Sequence, residues 1–235
     1  MAAPTPPLAR LVLRATSVAD DVGFVALRDL SQVMAGDDYR MIGGHMVMAL
    51  VARWALGDDL YRQTQDTDRG VHPIAVQGPE IVDQLGSLGY ERQSGNRFAR
   101  PVHDVPVRLA GIDAPLPRAV IDILVPSYTS RPRQNRKFGK HLATVEVPGL
   151  AAALQRPAVD LRFELHRLSG DVSVVDLAVA DEISALVLKA HATKIAVVGR
   201  SRRVRRGQAP RPHQRRRSAA RGPVLLRGEL RAGHV

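Results

Sequence analysis

The stretch that most constrains this chain runs from Arg40 to Val71. Met41 and Ile42 form a short apolar run that enters Gly43-Gly44, and Met46, Val47, Leu50, Val51, Trp54 and Ala55 then recur at helical spacing. The pattern is strand, glycine turn, helix. Two residues without Cβ let a backbone approach closely, and the free N–H groups of a helix start offer an anion site for a phosphate. Gln65-Asp66-Thr67-Asp68 follows. In a strand, side chains alternate between faces, so Asp66 and Asp68 share one. Neighbouring carboxylates repel, and a hard cation such as Mg²⁺ relieves that repulsion while bridging to phosphates.

A third acid lies in an unusual setting. Arg118 to Val125 is an apolar, β-branched run with Asp122 at its centre. A carboxylate inside a buried strand needs a partner, a metal or a raised pKa. On an edge strand the same residue faces water, and spacing alone leaves both readings open.

The order Gly43-Gly44, then Asp66-Thr67-Asp68, then an isolated acid in Ile121-Asp122-Ile123-Leu124 resembles the polymerase-beta-type nucleotidyltransferase superfamily. Within it, Ile42-Gly43-Gly44-His45 followed by Asp66-Thr67-Asp68 is similar to the AbiEii/AbiGii-type nucleotidyltransferase toxins, over roughly residues 20 to 195. The resemblance implies an α+β fold, a mixed sheet flanked by helices with a smaller helical second lobe. It implies Mg²⁺-dependent transfer of a nucleotide from an NTP to a nucleic acid, with tRNA as the acceptor, and a cognate antitoxin as partner. Carried onto this sequence, it makes Asp66, Asp68 and Asp122 the catalytic metal ligands and assigns Gly43, Gly44 and Arg69 to the nucleotide. Leu188-Lys189 is similar to a Leu-Lys pair of those toxins, which makes Lys189 an active-site residue; read alone, it is a helix-end lysine complementing the dipole. His45 is expected to pack or cap at the helix start. Two other functions remain open: a catalytically degenerate RNA-binding protein, and a nucleotidyltransferase acting on a small molecule such as an antibiotic.

Composition limits these choices. The 235 residues, 45% hydrophobic, suffice for one good-sized core or a main domain with a smaller lobe. Cysteine is absent, which excludes disulfides and thiolate metal sites and suits a reducing, cytoplasmic setting. No apolar run approaches a membrane span, so no membrane partner is expected. From Ala196 onward there are twelve arginines and one acid, Glu229, so that segment holds the whole net charge of +11. The preceding residues balance to zero.

Along the chain, residues 1–19 read as a flexible arm and 20–140 as the nucleotidyltransferase core. That core opens with a helix from Asp20-Asp21 to about Met34 that Ala35-Gly36-Asp37-Asp38 ends. Gly57-Asp58-Asp59 is expected to turn the chain back toward the Asp66 strand. A helix follows from Pro79 to Leu88, and a strand over Tyr90 to Pro101 carries Arg92, Arg97 and Arg100. Such arginines are solvated or, near a triphosphate, act as counter-charges. Pro126 to Lys140 is a basic loop with Arg131, Arg133, Arg136, Lys137 and Lys140, suited to a polyanion or simply solvated.

Residues 141–195 are expected to form the second lobe, ending in a helix from Ala180 to Thr193 whose apolar face is Ile183, Leu186, Val187 and Ala190. Residues 196–235 form a basic tail with too little apolar surface to fold alone. Where the similar toxins carry another acid and a closing helix, this chain has no acid between Glu182 and Glu229. The tail is either an arm that holds RNA by its phosphates or a segment read out of the ancestral frame.

Overall fold

The computed structural model describes residues 9–34, 36–56, 64–106, 115–129, 132–133, 135–138 and 141–205, with side chains from 10 to 197. The fold grows outward from the strand that carries Asp122. This strand, β6 (Arg118–Pro126), pairs in parallel with β3 (Asp66–Val71) and antiparallel with β5 (Arg97–Pro101). Its apolar run is therefore buried on both faces, and Asp122 lies in the interior of the sheet rather than on an edge. The strand β2 (Tyr39–Ile42) pairs antiparallel with β3, and β4 (Glu91–Arg92) pairs antiparallel with β5. Beyond β5, the end of β6 pairs in parallel with β8 (Leu142–Val147), which carries β7 (Arg136–Phe138).

The second lobe expected over 141–195 is not separate. Leu142–Val147, β9 (Val159–His166) and β10 (Val172–Val179) alternate buried and accessible residues, and all three join the same mixed sheet. Their period-two pattern demands a sheet partner, which β6, β2 and one another supply. The sheet runs in the order β1, β9, β10, β2, β3, β6, β5, β4. Here β1 (Ala9–Arg14) lies parallel to β9, so the part of the expected arm from residue 9 is a strand. Leu11 and Leu13 pack on the core, which a loose arm would leave in water. Residues 1–8 of that arm lie outside the described residues.

Helices flank the sheet. α1 (Val18–Val33) packs against β3, β6 and β10 with Val22, Phe24, Val25, Leu27 and Leu30 all but fully buried. Its start is a reciprocal cap: Ser17 Oγ accepts from Asp20 N–H, and Asp20 accepts from the N–H and hydroxyl of Thr16. α2 (Gly43–Arg53) packs on β2 and β3, and α3 (Glu80–Ser87) touches α1. α4 (Leu150–Gln155) sits on the face of β3 to which Gly70 belongs; a Cβ there would run into Leu150.

The last helix, α5 (Glu182–Arg205), differs from expectation in two ways. It extends to Arg205, beyond Thr193 and into the expected tail. It also turns a different face inward: Ser184 and Leu188 are buried, while Ile183 and Leu186 are 55% and 72% exposed. Its start is fixed by Asp181, which accepts from Ser184 N–H and from Arg156. One compact unit ends at Lys194; a second takes Ile195–Val235, and its residues 206–235 lie outside the described residues. So do Gly57-Asp58-Asp59, Ala35, Arg131 and Lys140. No helix among the described residues is long and apolar enough to cross a membrane.

Candidate active site

Three strands meet at the site. Ile42 ends β2 in an extended conformation, and the chain turns into α2 through Gly43 at φ +73°. Only a residue without Cβ takes that angle freely, and here a second reason applies. A Cβ on Gly43 would collide with the carboxylate of Asp68, so this acid lies directly against the N-terminus of α2. Gly44 is crowded in the same way by the side chain of Thr64.

Asp68 stands opposite Ile42 in β2 and opposite Asp122 in β6. Asp66 is two residues back on β3 and shares its face. The sheet register therefore sets the three acids that the sequence singles out on one face of two adjacent strands. Burial, and then the charges of Asp122 and Asp66, push the Asp68 carboxyl up to about 7, with Arg97 partly offsetting them.

Arg97 holds the other two acids. It is the direct cross-strand partner of Asp122 on β5. Its Nε donates to both Asp122 oxygens at 3.2 Å, and its Nη2 donates to Asp122 at 2.7 Å and to Asp66 at 2.8 Å. Asn96 Nδ2 adds a 3.2 Å bond to Asp122. The hydrogen bonds to Asp122, with the charge of Asp66 behind them, raise the Arg97 pKa still further, so its charge is permanent. Nothing in the sequence marks Asn96 or sets Arg97 apart from Arg92 and Arg100, because only the β5–β6 register reveals their partner.

His45 is a structural residue, as its position at the helix start suggests. It is fully buried, with Nδ1 3.2 Å from both the Asp66 carbonyl and the Thr67 hydroxyl. A carbonyl only accepts, so Nδ1 carries the proton. Nε2 is left unpartnered beside Gly23 of α1, and burial pushes the imidazole down to about 4. The ring is neutral and ties the first turn of α2 to β3.

The assignment of Arg69 to the nucleotide does not hold. Strand alternation puts Arg69 with Thr67 on the opposite face from Asp66 and Asp68. It is fully buried over the Tyr39 ring, 5.1 Å from its centroid, with Asp37 at 3.7 Å. Burial pushes its pKa down to about 9, and none of its three guanidinium nitrogens makes a hydrogen bond.

Lys189 does reach the site's surroundings. With Gly43, Gly44, Thr64 and Asp68 it lines a cleft of about 900 Å³ between α2 and α5. Most of the remaining wall is apolar, including Val47, Val51, Trp54 and Leu186. The cleft thus has an anionic and glycine-rich end, a lysine, and a long greasy wall.

The basic loop is partly a strand. Arg136–Phe138 forms β7, and buried Glu146 accepts from the Arg133 N–H at 2.9 Å and from Arg136 Nη1 at 2.6 Å. This carboxylate pins the loop to the end of β8.

Among the described residues, no three His, Asp or Glu side chains converge as a ready metal cage. The donor set nonetheless suits a hard cation: three carboxylates on adjacent strands, two of which already share one positive group in Arg97. No protein-family model matches the chain, and neither a curated protein nor a solved structure matches it.

Proposed function

We propose that this chain is a Mg²⁺-dependent nucleotidyltransferase of polymerase-beta-like fold that transfers NMP from an NTP to a nucleic-acid acceptor, the 3′ end of a tRNA. The observation that carries this reading is the position of the Asp68 carboxylate, against the Gly43 helix start and in register with Asp122. Phosphoryl transfer uses both a backbone that meets phosphate and carboxylates that hold a divalent cation. By the resemblance of its motifs, the protein is the toxin of a toxin–antitoxin pair.

Asp66, Asp68 and Asp122 would hold Mg²⁺, which supplies positive charge to the phosphoryl oxygens. Gly43 and Gly44 let Asp68 and Thr64 close on the first turn of α2, whose N–H groups would meet the triphosphate. Lys189 neutralises phosphate charge from the α5 side of the cleft. Asp122 takes the proton of the incoming 3′-hydroxyl; the new bond joins that oxygen to the α-phosphorus, and the bond from the α-phosphorus to pyrophosphate breaks. The basic segment Arg133–Lys137 suits an RNA backbone.

The test is transfer of label from each α-³²P NTP to total tRNA with Mg²⁺, comparing wild type with Asp68→Ala. Label from wild type alone supports the reading. One observation favours a binding-only protein: Arg97 already pairs with both Asp66 and Asp122. A folded wild type that shifts tRNA at low salt without transferring label marks that alternative.

A further inference from the structure

We infer that Arg97 is a resident counter-cation that occupies the metal's place between Asp66 and Asp122 and must swing away before these acids can ligate a metal. The inference rests on the metal-dependent reading above. Asp66, Asp68 and Asp122 lie on two adjacent strands, and their mutual repulsion has to be balanced in the protein without metal. Arg97 balances it by bonding both Asp66 and Asp122 through the same Nη2. A cation bridging these two acids would compete with the guanidinium for Asp66 Oδ2 and both Asp122 oxygens, and the two positive charges repel at that distance.

The same contacts show that the arrangement is displaceable. The Arg97 and Asp66 side chains are each 43% exposed, so the guanidinium has open solvent to move into. Arg97 is the first residue of β5, so its side chain can leave without unpairing the strand interior. Asn96 keeps a bond to Asp122 and would hold this carboxylate in place after the guanidinium departs. A triphosphate offers the displaced arginine a new bidentate partner. Arg97 therefore makes free metal a poor ligand and favours metal that arrives with an anionic substrate.

Mn²⁺ binding followed by electron paramagnetic resonance tests this without reference to turnover. Arg97→Met is expected to bind Mn²⁺ at least about tenfold more tightly than wild type, since the charge-assisted hydrogen bonds from Arg97 to Asp66 and Asp122 no longer compete. Arg97→Lys, which keeps the charge but loses the fork, is expected to fall between them. Inorganic tripolyphosphate is expected to tighten Mn²⁺ binding in wild type more than in Arg97→Met. If the variants bind Mn²⁺ as wild type does or more weakly, while Asp68→Ala abolishes binding, the Arg97 inference fails and the metal site stands. If neither wild type with tripolyphosphate nor Arg97→Met, both folded by circular dichroism, binds Mn²⁺ at millimolar concentration, both the inference and the metal-dependent reading are overturned.

Discussion

Asp68 and Asp122 face each other in register across the parallel strands β3 and β6, and only Asp122 has an arginine in contact. The unpaired member of the two is the one whose carboxyl is pushed up, to about 7.

That asymmetry predicts a pH dependence of stability. The folded protein holds the Asp68 proton more tightly than the unfolded chain, whose carboxyl titrates near the ordinary aspartate value of 3.8. Its contribution is fully present below that value and is lost as pH rises toward 7. Each tenfold gain in proton affinity is worth roughly 1.4 kcal/mol, so the loss is at most about 4 kcal/mol. Urea denaturation at pH 5 and pH 8 should show the decline in wild type and a flatter profile in Asp68→Asn. Equal slopes in both proteins would refute the assignment.

Gly43 is required for conformation and for clearance alike. Gly43→Ala must either abandon φ +73° or displace the Asp68 carboxylate. We expect a stability loss of about 1–2 kcal/mol. Label transfer should fall by a larger factor than stability explains, on the order of a hundredfold. Unchanged transfer in a folded Gly43→Ala protein would separate this glycine from the chemistry.

His45 is expected to matter for the fold rather than for proton transfer. His45→Ala removes a fully buried ring and leaves the Asp66 carbonyl and Thr67 hydroxyl without their partner. A cost of roughly 2–4 kcal/mol is expected in urea denaturation. At pH 6 to 8 the wild-type rate should show no inflection from an imidazole, since this one titrates near 4.

Arg69 and Lys189 should respond in opposite ways. Arg69→Met replaces a buried guanidinium that lacks hydrogen bonds, so stability should hold or rise by about 1–2 kcal/mol with NTP affinity unchanged. Lys189→Ala should leave stability within about 0.5 kcal/mol and weaken NTP binding several-fold. Equilibrium binding of a fluorescent NTP distinguishes the two; weaker binding by Arg69→Met would restore it to the nucleotide site.

Much of the site is legible in the chain alone. Gly43-Gly44 between a short apolar run and a helical repeat dictates a strand, turn and helix. Period-two alternation puts Asp66 and Asp68 on one face, and the same rule, applied one residue further, removes Arg69 from it. The apolar run around Asp122 marks a strand, since β-branched residues at that density bury on both sides of a sheet.

Pairing and rotation were decided only in three dimensions. Which acid stands opposite Asp122 depends on the parallel register of β3 and β6, and Arg97 reaches it because β5 joins the other side of β6. Strands far apart in sequence set that register, so no local pattern contains it. The merging of 141–195 into the main sheet has the same origin: β9 offers one edge to β10 and the other to β1. The inward face of α5 carries Ser184 and Leu188 rather than the most apolar stripe, and Ile183 and Leu186 stay outside. Sequence by itself determined the elements and the chemistry they carry, because periodicity and side-chain type are local. Tertiary structure decided which charges neutralise one another, because the energy of an ion pair depends on distances that only the assembled sheet sets.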